Sequence, residues 1–157
     1  FNGRRMGKKG NGACRRQSYK FEPTSRMSNT FICNGKSTPE EIIKATKFGL
    51  YAKSLAGGSV NPVTGEFNFG CSEAYLVRDG EICEPVRGAS VIGTGQEILM
   101  KIDMVGNDLC RAQGMCGAAS GFVPVDVGQP TIRISEMTVG GNGGELKWNW
   151  MKKNSLN

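Results

Sequence analysis

The 157-residue chain is long enough for one domain with a hydrophobic core of its own, and no apolar run approaches the length of a bilayer-spanning helix. It contains no histidine, which excludes Ser-His-Asp, Cys-His and two-histidine metal sites built from this chain alone. The formal charge of +6 is concentrated at one end: residues 1–26 hold eight Lys or Arg against one acid, the remainder twelve against thirteen.

That basic end is also glycine-rich, running through Gly3, Arg4, Arg5, Gly7, Lys8, Lys9, Gly10, Gly12, Arg15, Arg16 and Lys20. A nucleic-acid arm has this composition, and so does a solvated loop that meets a polar partner. Phe1, Tyr19 and Phe21 are its only aromatics, without the interleaving that single-strand binders use for stacking. G-R-R-M-G-K falls one residue short of a phosphate loop and follows no apolar strand. The chain opens on Phe1 rather than Met and without a charged-then-apolar leader. A piece of a longer protein, with the cytosol as default compartment, is the expectation.

Residues 26–33, R-M-S-N-T-F-I-C, predict a strand. A helix is expected over 37–49: Thr38 is a suitable N-cap, Pro39 suits the first helical position and Glu41 completes a capping box. Ile42, Ile43 and Phe48 would form its apolar face and Gly49 would end it. Residues 50–93 read as antiparallel β structure, interrupted at Gly57-Gly58, turning at 61–65 and again at Asp79-Gly80, a strong hairpin signal. Thr94 to Glu97 forms a second capping box. Ile98, Leu99, Ile102 and Val105 recur at helical spacing up to Gly106, predicting a second helix. Residues 122–127, 131–134 and 137–139 read as short strands. The last stretch, with Trp148 and Trp150, has the composition of a tail that is disordered or anchors on a partner. The fold expected is α+β, mostly antiparallel β-strands with two short helices of about ten residues.

Chemistry-bearing candidates are few. Glu97, Asp103 and Asp108 are acids near the run 104–117, but on one helix Glu97 and Asp103 would face apart, so solvated acids and a turn cap at Asn107-Asp108 are the simpler reading. Arg15, Arg16 and Arg26 suit carboxylate or phosphate, or plain surface charge. The six cysteines are scattered without C-x-x-C, in a chain long enough not to need disulfides, so most are expected as small buried apolar residues. Cys116, between Gly114 and Gly117 and expected on flexible backbone, has three readings. It is a core residue, a nucleophile lacking any histidine base, or a thiolate ligand whose partners come from elsewhere.

The order of motifs adds to this. G-A-C-R-R-Q-S-Y, P-T-S-R-M-S-N-T, S-T-P-E-E-I-I and G-G-S-V-N-P-V-T-G-E-F-N-F are followed by S-E-A-Y-L-V-R-D-G-E-I and P-V-R-G-A-S-V-I-G. M-V-G-N-D-L, G-M-C-G and V-G-Q-P-T-I-R-I-S-E-M-T-V-G-G close the series. Together they resemble the C-terminal half of the TldD/PmbA metalloprotease family, also described as modulators of DNA gyrase, and within it the TldD branch more than the TldE (PmbA) branch. The resemblance implies a C-terminal domain over 1–141 with a tail over 142–157. It implies a zinc peptidase acting on unfolded peptides or peptide precursors, partnered as a heterodimer with a TldE/PmbA-like paralogue. In the family, H-E-x-x-x-H in the preceding half supplies two histidine ligands and a glutamate base, and a cysteine in G-x-C-G supplies the third ligand. That cysteine corresponds to Cys116. H-E-x-x-x-H is absent here, so no catalytic residue is expected in this chain and alone it is expected to be inactive. The alternative is a non-catalytic TldE/PmbA-like partner or gyrase modulator. A bound peptide could add to an exposed strand edge, with no membrane role and nucleic acid the lesser expectation.

Overall fold

The computed structural model describes residues 2–141. In chain order these form α1 (Asn2–Arg5), β1 (Cys14–Arg15), β2 (Thr24–Ser25), β3 (Thr30–Phe31), α2 (Pro39–Lys44), β4 (Phe48–Val60), β5 (Glu66–Arg78) and β6 (Glu81–Pro85). They continue with β7 (Ser90–Thr94), α3 (Gly95–Met100), β8 (Ile102–Val105), β9 (Cys110–Ala118), β10 (Gly121–Gln129), β11 (Ile132–Ile134) and β12 (Thr138–Gly140). The α+β expectation holds: strands dominate, their pairing is mostly antiparallel, and the helices are short. No helix among the described residues is long and apolar enough to cross a membrane. The tail with its two tryptophans lies outside the described residues.

The described residues divide into two compact units, one of residues 2–39 and 105–132, the other of residues 40–104 and 133–141. In the first unit β10 is central, antiparallel to β9 and parallel to β3, while β1 and β2 form a separate antiparallel pair. β9 and β10 are joined by the two-residue turn Ala119–Ser120, after which Gly121, at φ 86°, opens β10 opposite Ala118 in an unbroken register. Val125, Cys116, Ser120 and Pro130 are buried in this unit. The second unit is a five-stranded sheet in which β5 pairs with β4, β6 and β7, and β12 adds to β7. Its core holds Ile42 from α2, Ile98 from α3, and Ala74, Leu76, Val77, Ala89 and Val91 from the sheet region. Burying each of the larger aliphatic side chains contributes about 1.5–3 kcal/mol.

Both helices are shorter than their capping signals suggest. α2 ends at Lys44, and the Thr46 hydroxyl donates to the Ile42 carbonyl (2.8 Å) while its N–H donates to Ile43 (3.0 Å). The Thr46 and Lys47 carbonyls then accept from the amides of Gly80 and Asp79, at 3.0 and 2.7 Å. These bonds draw the chain out into β4, so Phe48 and Gly49 lie in a strand rather than on a helix. Thr94 does cap α3, its hydroxyl accepting from the Glu97 amide (3.4 Å). The helix stops at Met100 because the Lys101 carbonyl is taken by Ser135 N–H (2.9 Å), and Ile102–Val105 continues as strand β8 paired with β11. Apolar residues spaced for a helix at 98, 99, 102 and 105 also serve a strand over 102–105, and tertiary pairing decides between them.

Three further expectations change. Gly57-Gly58 does not break the strand: both lie inside β4, where the register skips between Leu55 and Gly58. A Cβ at Gly58 would collide with the Asn68 carbonyl, so the glycine permits close approach at a bulge. The strand expected over 26–33 is only the two residues of β3. The cysteines are not mostly buried: Cys14, Cys33 and Cys110 are exposed, Cys71 and Cys83 half-buried, and only Cys116 is buried.

Candidate metal-ligand site at Cys116

Cys116 lies in regular structure, not on flexible backbone. It is the seventh residue of β9, directly opposite Val123 of β10. Side chains opposite one another share a face and alternate along the strand. Gly114, Val125, Cys116 and Val123 therefore share the inner face, and Met115, Pro124, Gly117 and Phe122 the outer one. Burial follows that division: Cys116 and Val125 are each 7% exposed, Met115 and Phe122 more than 60%. The glycines flanking the thiol have packing roles. A Cβ at Gly117 would meet the Phe122 ring at 2.6 Å, and at Gly114 it would rest at 3.7 Å from Val125.

The N-terminal segment wraps this hairpin. β1 ends at Arg15, and Gln17 follows two residues on in a bend; both reach the hairpin. Gln17 holds the turn: its N–H donates to the Ser120 carbonyl (2.8 Å) and its Oε1 accepts from the Phe122 N–H (2.9 Å). Arg15 uses all three guanidinium nitrogens. Nη2 donates to the Cys116 carbonyl (2.9 Å), Nε to the Met27 carbonyl (2.9 Å), and Nη1 to Ser120 Oγ and the Gly121 carbonyl (3.3 and 3.4 Å). Arg26 Nη2 donates to the Gly117 carbonyl at 3.2 Å.

Two guanidiniums thus bracket the strand that carries the thiol. Burial pushes the Cys116 thiol up, but hydrogen bonding and charge from Arg26 and Arg15 outweigh it, so its pKa lies below the ordinary thiol value. Cys71, by contrast, is pushed up by burial alone. An electropositive setting favours the thiolate, the form that acts as nucleophile or metal ligand. Sequence reasoning singled out Cys116 and had Arg15 and Arg26 among anion-binding candidates, but missed that their partners are backbone carbonyls of the β9–β10 hairpin.

The remaining candidates do not converge on this point. Glu97 pairs with Lys101 (2.7 Å), and Asp103, on β8 rather than a helix, forms a two-point bond with Arg133 at 2.8 and 2.9 Å. Asp108 accepts from both the amide and the hydroxyl of Thr131 (2.9 and 2.7 Å), tying together the two ends of the 106–131 segment instead of capping the local turn expected at Asn107-Asp108. Arg16 is exposed. Among the described residues no three His, Cys, Asp or Glu side chains come together to hold a metal ion. A metal at Cys116 fits this chain only as one thiolate donor, with the other ligands supplied from outside it.

The domain is β-rich and carries one buried thiol on a strand flanked by two arginines, and the comparisons give its family. The family model described as the PmbA/TldA metallopeptidase C-terminal domain matches residues 1–141. A metalloprotease TldD homologue of Buchnera aphidicola (subsp. Schizaphis graminum) is 46% identical over 143 residues, 90% of this chain and 30% of that protein. A metalloprotease TldD homologue of Haemophilus influenzae is 44% identical over 143 residues, with the same coverage. A zinc metalloprotease TldD homologue of Saccharolobus solfataricus is 32% identical, covering 87% of this chain and 30% of that protein. TldE from Thermococcus kodakarensis shares the fold at a TM-score of 0.63 and 21% identity, over 88% of this chain and 29% of that one. The chain belongs to the PmbA/TldD metallopeptidase family, and it spans 30% of the length of each of the three relatives above.

Proposed function

We propose that this chain is the C-terminal domain of a metal-dependent peptidase and that Cys116 is its one metal ligand. The observation that carries the reading is the buried thiol of Cys116, on a strand flanked by Arg15 and Arg26, in a metallopeptidase-family chain whose described residues bring no three His, Cys, Asp or Glu side chains together to hold a metal ion. Zinc is the metal that a thiolate with two nitrogen donors suits, and it is named for one relative. Bound there, it would lower the pKa of water toward neutrality and polarise the scissile carbonyl.

This chain's own contribution is narrower. Cys116 offers a thiolate that the two arginines favour before metal arrives. β9 and β10 fix that sulfur on the inner face of a two-stranded ladder, and Val125 beside it keeps the surroundings apolar. The histidine donors and the general base belong to the part of the protein outside this chain; the whole protein would act on unfolded peptides or peptide precursors beside a TldE-like partner.

The test is metal content and peptidase activity of the intact protein. Wild type should carry about one zinc per chain, and Cys116→Ala should lose both metal and activity. Cleavage at the wild-type rate in Cys116→Ala would overturn the reading and leave a non-catalytic partner as the better account.

A further inference from the structure

We infer that Arg15 is a positioning residue for the Cys116 ligand, acting through the backbone of β9 and the β9–β10 turn rather than by touching metal or substrate. The inference rests on the reading of Cys116 as a ligand.

β9 pairs only with β10 among the described residues, so its other edge has no strand to fix it. A two-stranded hairpin ending at a free edge twists and frays readily. The ligand sits two residues from the end of that strand, where small movements displace the sulfur most. Arg15 ties down this strand end from the β10 side, since Cys116, opposite Val123, turns its carbonyl toward β10. Its planar fork reaches the carbonyl of Cys116 itself, and the same guanidinium holds the turn at Ser120 Oγ and the Gly121 carbonyl. Its Nε is anchored in turn on the Met27 carbonyl. Ser120 is fully buried, so the anchor at the turn is shielded from water.

One rigid side chain therefore spans ligand, turn and N-terminal segment, an arrangement that a lysine, with one rotatable ammonium, cannot reproduce. Arg26 reaches the neighbouring carbonyl of Gly117 by one bond from an exposed position and lacks this multiple anchoring. Metal sites depend on such outer contacts to orient their ligands, and loss of one typically weakens metal binding on the order of 10- to 100-fold.

The experiment uses the intact protein, freed of metal and titrated with cobalt(II), following the near-ultraviolet thiolate-to-cobalt absorption. Cys116→Ala should abolish that band. If the band survives in Cys116→Ala, the ligand assignment itself fails. With the ligand established, Arg15→Ala should bind cobalt on the order of 10- to 100-fold more weakly, with an altered band, and Arg15→Lys should recover part of the affinity. Arg16→Ala, changing the exposed neighbour, should match wild type.

Hydrogen exchange of the metal-free protein gives a second reading that does not need metal. Arg15→Ala and Arg15→Lys should speed exchange over 110–121 and leave the five-stranded sheet protected. If both variants keep wild-type cobalt affinity, band and exchange, Arg15 is not a positioning residue. If Arg15→Ala loses protection throughout the chain, Arg15→Lys decides: global loss there too would mean a general structural role and overturn the inference.

Discussion

At the scale of single residues, the site depends on close approaches that leave little room for side chains. Gly121 shows this most directly. Its φ of 86° is in the left-handed region, and an added Cβ would lie 2.5 Å from the Gln17 side chain that brackets the turn. Gly121→Ala should therefore destabilise the intact protein by about 1–3 kcal/mol, from the left-handed backbone together with displacement of Gln17. Denaturant unfolding measures it, and a loss of only a few tenths of a kcal/mol would show that the turn relaxes without cost. Cys116 was legible at this scale as a candidate because its thiol is glycine-flanked, but the residues left core, nucleophile and ligand open, and only the family resemblance implied the ligand. The setting of Cys116 was not legible. Arg15 and Arg26 donate to carbonyls about a hundred positions away in the chain, and no local pattern reports such pairings.

At the scale of elements, the Asp79-Gly80 turn and the Thr94 cap proved legible and element ends did not. Asp79-Gly80 forms the expected hairpin, with φ of 48° and 83°, because the left-handed pair suits Asp-Gly. The same turn ends α2 early by donating to Thr46 and Lys47, a contact between segments more than thirty residues apart. Strand β8 was read as helix because its apolar spacing suits both periods, and its pairing with β11 decides the matter. That junction gives a test. Arg133 on β11 donates two bonds to Asp103 on β8 and a third to the Ala45 carbonyl. The Arg133 hydrogen bonds hold the Asp103 carboxyl below its ordinary value. A depressed folded-state pKa stabilises the fold above the unfolded value, near about 3.9, and that stability is lost as pH falls through the folded value. Wild type should thus lose stability with acid more steeply than Asp103→Asn below about pH 4. Thermal unfolding across that range checks it, and parallel curves would mean that the pair contributes nothing measurable.

At the scale of the whole molecule, charge and chemistry fall in the same unit. Residues 2–39 and 105–132 carry ten Lys and Arg against three Asp and Glu, a net +7, and contain Cys116. Residues 40–104 and 133–141 carry seven against ten, a net −3. The basic end visible in the sequence is therefore the part of the chain that wraps the thiol. Arg4, Lys8, Lys9, Arg16 and Lys20 are all exposed on it. A field of one sign around a site raises the encounter rate with oppositely charged ligands, and salt with a Debye length of about 8 Å at physiological strength screens it. If peptides are cleaved at Cys116, acidic ones should be captured faster than neutral ones of the same length. Their kcat/KM should fall more steeply between low salt and physiological ionic strength. Lys8→Glu combined with Lys9→Glu, at residues outside the Arg15, Gln17 and Arg26 contacts to the hairpin, should flatten that dependence without changing metal content. Equal salt slopes for acidic and neutral peptides would show that the charge serves another partner. A steep slope for duplex DNA binding, with none for peptides, would identify that partner as nucleic acid.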